Sequence, residues 1–335
     1  MKSMVKKLNY ILNVIFFVVI TMSCSKTEKE LHVYSIIDEK ETKVLCDLFT
    51  EKTGIPVLFL RASTGELVNR VIAEKDDPQA DILLGGAVNY HIQADAAGAL
   101  EEYKSPLSEG LPSYAVSQDN TWTGFCVLSL GIGINKPRFE QKFPNVQIPQ
   151  TWDDLLNPVF KGEIVLTNPL ASSTAYLFVQ NQLQRLGWEK GWEYLSALTP
   201  LVGQFPDSGS APAKLLGTGE YAIGVSYLHA IAKYKAQGFQ LELVAPPKTV
   251  GDVDCIAIMK NTKHLEEAKK FVDFMLGKEA QELMSSMNYT VPVNPDASGP
   301  EGSIPVSSLD LIKYDVKKAA EEKDAVMDLW NKQVK

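Results

Sequence analysis

The chain has 335 residues, of which 45% are hydrophobic and 22% charged, with a formal net charge of −8 at pH 7. That length allows two domains of ordinary size behind a leader. The acidic balance, with no Lys/Arg cluster, argues against nucleic acid as a partner, yet leaves a small anionic ligand open because local dipoles dominate inside a cleft.

Residues 1–23 read as an export signal. Lys2, Lys6 and Lys7 precede an apolar stretch from Leu8 to Ile20 that is short for a membrane span, and Ser23 leads into Cys24. The arrangement resembles a bacterial lipoprotein signal, in which Cys24 would be acylated and become the mature N-terminus. Thr21 stands where such signals usually carry Leu, and cleavage by ordinary signal peptidase is the alternative. Residues 24–30 then form a polar tether.

From Leu31 onward strands and helices alternate at short spacing. Leu31–Ile37 reads as a buried strand, Glu39–Thr53 as a helix closed by Gly54, and Ile55–Leu60 as a second strand. Ser63–Lys75 is the next helix, and Ala80–Leu84 a third strand ending at Gly85-Gly86. This is the signature of parallel βαβ units, whose ligands bind beyond the carboxyl ends of the strands. Ser35, Ser63, Thr64 and Gly86 fall at that edge. Ser63-Thr64-Gly65-Glu66 also fits a plain capping box, Ser35 could simply end its strand, and Gly85 and Gly86 could mark a tight turn.

The pattern restarts after an extended run over Thr123–Ile134. Two serine-rich segments then open helices: Asn168-Pro169-Leu170-Ala171-Ser172-Ser173-Thr174 and Ser208-Gly209-Ser210-Ala211-Pro212. Small hydroxyl residues at a helix start leave backbone N–H groups free to meet an anion, with the dipole oriented to favour it. Ser172, Ser173, Thr174, Ser208 and Ser210 are therefore candidate ligand contacts. A strand over Tyr221–Val225, another over Asp252–Met259 and an amphipathic helix over Leu265–Leu276 complete two α/β lobes.

The chain carries no G-x-S-x-G elbow and no H-E-x-x-H or Cys/His zinc spacing, so an enzyme and a bound cofactor are not expected. Cys46, Cys126 and Cys255 do not form a disulfide framework and read as buried thiols.

In Val33-Tyr34-Ser35, Phe49–Val57, Ser63–Leu67, Ala80–Leu83, Thr151–Pro158, Phe160–Ile164, Asn168–Tyr176, Ser208–Ser226 and Ala268–Glu282, the chain resembles extracytoplasmic substrate-binding proteins of ABC transporters. The resembling group holds ferric-ion, hexose-phosphate and 2-aminoethylphosphonate binders. The resemblance implies a type II periplasmic-binding-protein clamshell, α/β, with a two-strand hinge, acting as a monomer with a permease and its ATPase at the outer face of a bacterial membrane. It also implies that the tail rejoins the first lobe, giving 31–132 and 257–335 as lobe 1 and 133–256 as lobe 2.

Ferric-ion binders of the group use adjacent tyrosines just after the strand equivalent to Tyr221–Val225. Here Ser226-Tyr227-Leu228-His229 keeps one, Tyr227, and Asp38 falls near where those binders carry a His. Losing a phenolate weakens a ferric site. The resemblance thus adds Asp38, Tyr227 and His229 as candidate contacts, favours a phosphorylated or phosphonate anion, and leaves Fe3+ with Tyr227 as a metal ligand as the alternative.

Overall fold

The computed structural model describes residues 30–334. The leader and Cys24 lie outside the described residues. Among the described residues no helix is long and apolar enough to cross a membrane.

The first lobe is built as its alternation predicts. Strand β1 (Leu31–Ser35) pairs in parallel with β2 (Val57–Arg61) on one side and β3 (Ile82–Ala87) on the other. Helix α1 (Glu39–Thr53) starts on Asp38, whose carboxylate accepts from Lys40 N–H, and stops at Gly54 in the left-handed region. Helices α2 (Thr64–Ala73) and α3 (Val88–Ala96) follow β2 and β3. Gly85 and Gly86 both have positive φ, and a side chain at either would run into Ile36 or Ile37 of the loop after β1.

The long strand β5 (Thr123–Asn135) is buried along its whole length and belongs to both lobes. Its first half pairs with β10 (Gly251–Met259) and with the short strand β11 (Val291–Pro292); its second half pairs with β8 (Ile223–Tyr227) and β9 (Leu241–Val244). The short strand β4 (Leu100–Glu101) lies on β10. In the second lobe β8 runs parallel to β6 (Ile164–Leu166), and β6 to β7 (Val202–Gln204). The sheet path is β2-β1-β3-β10-β5-β8-β6-β7.

Two particulars differ from the sequence expectation. Gly251–Ile256, expected in the second lobe, pair with the first half of β5 and with β3, so the chain has already returned to the first lobe by residue 251. The tail, expected to finish in the first lobe, finishes against the second. Helix α4 (Lys136–Lys142), α5 (Ser173–Leu186), α6 (Trp188–Leu198), α7 (Ala211–Gly217) and α8 (Leu228–Ala236) belong to the second lobe, while α9 (Leu265–Leu276) and α10 (Lys278–Asn288) cover the first. The chain then crosses again: Thr249 N–H donates to Asp310 O at 3.0 Å and Ile312 N–H to Thr249 O at 2.9 Å. Helix α11 (Val316–Glu321) reaches α3, and α12 (Lys323–Val334) buries Val326 and Trp330 in the second-lobe core beside Trp152 and Phe178. The apolar positions Val326 and Trp330 of α12 hold it there. All three other cysteines are buried and free.

Candidate functional site

An interlobe cavity of about 780 Å3 opens at the ends of β3, β6 and β8. Its first-lobe wall is the start of α3, including Asn89 and Tyr90. Its second-lobe wall is the start of α5 with Ser172 and Ser173, together with Tyr227. The third wall is the tail, including Tyr314, Ala319 and Lys323. Edges of strands where the chain turns into helices are the places an α/β sheet offers to ligands.

The start of α5 is the most developed part. After β6 the chain turns on Asn168, whose side chain accepts from Leu170 N–H at 3.1 Å and donates to Asp207 at 3.1 Å. This brings the two serine segments together, as Asn168 N–H also donates to Pro206 O at 2.9 Å. Ser172 is the N-cap residue but its hydroxyl makes no capping bond, so first-turn amides and the Ser172 and Ser173 hydroxyls remain available at the positive end of a 14-residue helix. A methyl at Gly209 would stand 2.5 Å from Thr174 Oγ1 and 2.9 Å from Ser172 Oγ, which measures how closely the second segment covers the first. Ser208 and Ser210 are exposed beside it, their hydroxyls 3.2 Å apart.

Tyr227 ends β8 with its ring stacked on His229, centroids 5.3 Å apart and planes 21° from parallel. Burial holds the phenol proton firmly, the Asp252 and Asp254 charges reinforce this, and the Thr174 hydroxyl pulls the other way. Burial likewise pushes His229 down to about 4, and its Nδ1 has no partner. His229 lies behind Tyr227 on a small separate cavity.

The first-lobe candidates are placed differently. Ser35 is fully buried and its hydroxyl meets Thr42 Oγ1 at 2.7 Å, so it is spent inside the fold. Asp38 caps α1. Ser63 is at the start of α2 without a capping bond, and the Thr64 methyl lies near Gly86. None of Ser35, Asp38, Ser63, Thr64 and Gly86 lines the cavity.

Sequence reasoning missed Asp252 and Asp254 of β10. Burial pushes Asp252 up to about 6, and burial with the neighbouring Asp252 and Glu41 charges pushes Asp254 up to about 7. The signal was there: two acids spaced i, i+2 in an apolar strand share a face. Among the described residues no group of three or more His, Cys, Asp and Glu is placed to hold a metal ion.

A sequence model described as bacterial extracellular solute-binding protein matches residues 45–305. The chain belongs to that family. It is 34% identical to the periplasmic binding protein P5PA, whose structure matches with a TM-score of 0.73 over 91% of this chain and 99% of that one. It is 30% identical to the periplasmic binding protein AfuA of Actinobacillus pleuropneumoniae, solved with exogenous fructose-6-phosphate bound, at a TM-score of 0.76 over 91% and 98%. The ferric binding protein of Campylobacter jejuni shares the fold, with 22% identity and a TM-score of 0.75 over 90% and 99%. These relatives are solute-binding transport proteins rather than enzymes, and the fold is the two-lobe type II periplasmic-binding-protein fold. Family members work with ABC permease and ATPase components.

Proposed function

We propose that this protein captures a small phosphorylated or phosphonate anion between its lobes and delivers it to an ABC permease, acting as a monomer anchored through an acylated Cys24. The observation that carries the reading is the start of α5: an uncapped Ser172, the Ser173 hydroxyl and free first-turn amides facing the interlobe cavity. Thr174, Ser208 and Ser210 border the same corner. Such a helix end supplies several charge-assisted hydrogen bonds, and a micromolar site needs only about 8 kcal/mol net. Closure follows as a population shift, because only the closed form lets both lobes and the tail touch one ligand.

A second reading, ferric ion, is favoured by one observation: Tyr227, Tyr90 and Tyr314 share the cavity with Asp252, an all-oxygen set. Two features weigh against it. The Tyr227 phenol holds its proton, and Leu228, where ferric binders carry a second tyrosine, is buried and packed over Gly131 rather than turned to the cavity.

A thermal-shift panel separates the two. A ligand at 100 times its Kd adds about 2.7 kcal/mol, a clear rise in Tm. A rise with a hexose phosphate or phosphonate supports the anion clamp. A rise with Fe(III)-citrate alone, with a coloured complex, makes Tyr227 a metal ligand instead. The anchor is tested apart from the ligand, by whether Cys24→Ala releases the protein from the membrane fraction.

A further inference from the structure

The cavity's chemistry is not uniform. Besides the hydroxyl-rich start of α5, the cavity is lined by a carboxylate, Asp252 of β10, with no ion-pair partner among the described residues. Asp252 is only 7% exposed and lines the cavity. Both hydrogen bonds it accepts, from Val253 N–H at 2.8 Å and Val88 N–H at 3.4 Å, fall on Oδ1. Among the described residues no donor is recorded for Oδ2. Asp254 sits two positions along the strand, half-buried, with the Gly86 amide on its carboxylate. Among the described residues no lysine, arginine or histidine offsets either charge.

Holding the start of α3 explains Oδ1 of Asp252. It does not explain a second carboxylate beside the first, nor an oxygen left unpaired in a cavity. A carboxylate oxygen held in a cavity without a donor is costly, and that cost is relieved when a ligand supplies the donor. Conversely, a phosphate or phosphonate with nothing else attached would share the cavity with a carboxylate of like charge. The one basic residue among the lining residues, Lys323, is exposed at the start of α12.

We propose that Asp252, with Asp254 beside it, reads a second part of the ligand: the solute carries hydrogen-bond donors, an ammonium or a set of hydroxyls, in addition to its phosphoryl or phosphonyl group. This rests on the anion-clamp reading above. It adds that the anion alone is a poor ligand and that β10 sets the choice among anions.

The test is calorimetric titration of the purified protein with two matched pairs, 2-aminoethylphosphonate against ethylphosphonate and fructose 6-phosphate against hexyl phosphate. Wild type prefers the donor-bearing member of one pair by about tenfold or more, and which pair responds tells an ammonium from hydroxyls. Asp252→Asn keeps an acceptor for Val88 and Val253, so the local fold is retained. It loses about tenfold for the donor-bearing member while the other member stays within about threefold. Asp254→Asn weakens the same preference by less, and decides the matter should Asp252→Asn fail to fold. Equal binding within each pair by wild type, or an equal loss of both members in Asp252→Asn, overturns the inference and leaves the anion clamp standing. No binding of any of the four overturns the anion clamp itself.

Discussion

The indole of Trp330 meets the ring of Phe205 edge to face, with centroids 5.9 Å apart and planes at 80°. Phe205 leads into the second serine segment, and Trp330, 3% exposed, anchors the C-terminal helix together with Val326. The tail is thus fastened to the lobe whose serine corner it helps enclose, and Tyr176 of α5 donates to Ala319 O within the same wall. Trp330→Ala should cost about 3–5 kcal/mol in urea unfolding, as large aromatic truncations in cores do. A double-mutant cycle with Phe205→Leu should return about 1 kcal/mol of coupling, the worth of one aromatic pair. A loss under about 1 kcal/mol would mean the tail does not belong to the second-lobe core.

Gly209→Ala probes the serine corner with one methyl group. The added carbon would press on the Thr174 and Ser172 hydroxyls, which can turn away at little cost to the fold. Stability should change by less than about 1 kcal/mol, while affinity for the responding anion falls about tenfold or more, because those hydroxyls leave the ligand. Unchanged affinity would show that the corner is not the anion site.

How much of this was legible beforehand depended on whether a residue's role was local. The βαβ alternation, the Gly54 stop and the two serine helix starts are local signals, and the structure carries them. Ser35 shows the limit. A serine at a strand end reads the same whether it faces a cleft or, as here, a threonine of the next helix, and only Thr42 seven residues on decides it. The tail was misjudged for a related reason: its apolar stripe announces that α12 packs on something, but the partner, a core made by residues 130–250, is a non-local fact. Asp252 and Asp254 were overlooked although their spacing placed them on one face, because an acid in an apolar strand takes its meaning from what lies opposite.

Glu163 offers a check on the second lobe independent of ligand. Its carboxylate takes Arg138 Nε at 2.5 Å, Arg138 Nη2 at 2.9 Å and Lys142 Nζ at 3.1 Å, while Arg138 Nη1 reaches Gly219 O. Burial works to raise its pKa, but the two cations outweigh burial and hold it below the usual range. Such a group stabilises the fold above its unfolded pKa and ceases to as pH falls through the folded one. Glu163→Gln should therefore cost about 2 kcal/mol near neutral pH and much less near pH 3. A penalty that persists at low pH would point to packing instead.

The β10 carboxylates predict an unusual pH profile for the ligand-free protein. Asp252 and Asp254 titrate near 6 and 7 in the folded chain, against 3.8 for an ordinary aspartate. Between these values the folded protein binds protons that the unfolded chain does not. Their contribution is full below about pH 4 and is lost as pH rises through 6 and 7. His91 and His229 run the other way: burial lowers both to about 4, so their contribution is full above about 6.5 and is lost as pH falls towards 4. The two trends nearly cancel between about pH 8 and 6, so Tm of the ligand-free protein should stay close to level there and fall on the acid side. Asp252→Asn/Asp254→Asn should raise Tm at about pH 8 and make it decline as pH is lowered to about 6, because only the histidine trend is left. Scanning calorimetry of both proteins across this range decides the point, since a variant whose Tm follows the wild-type profile would mean that water or a nearby cation satisfies the pair without any ligand.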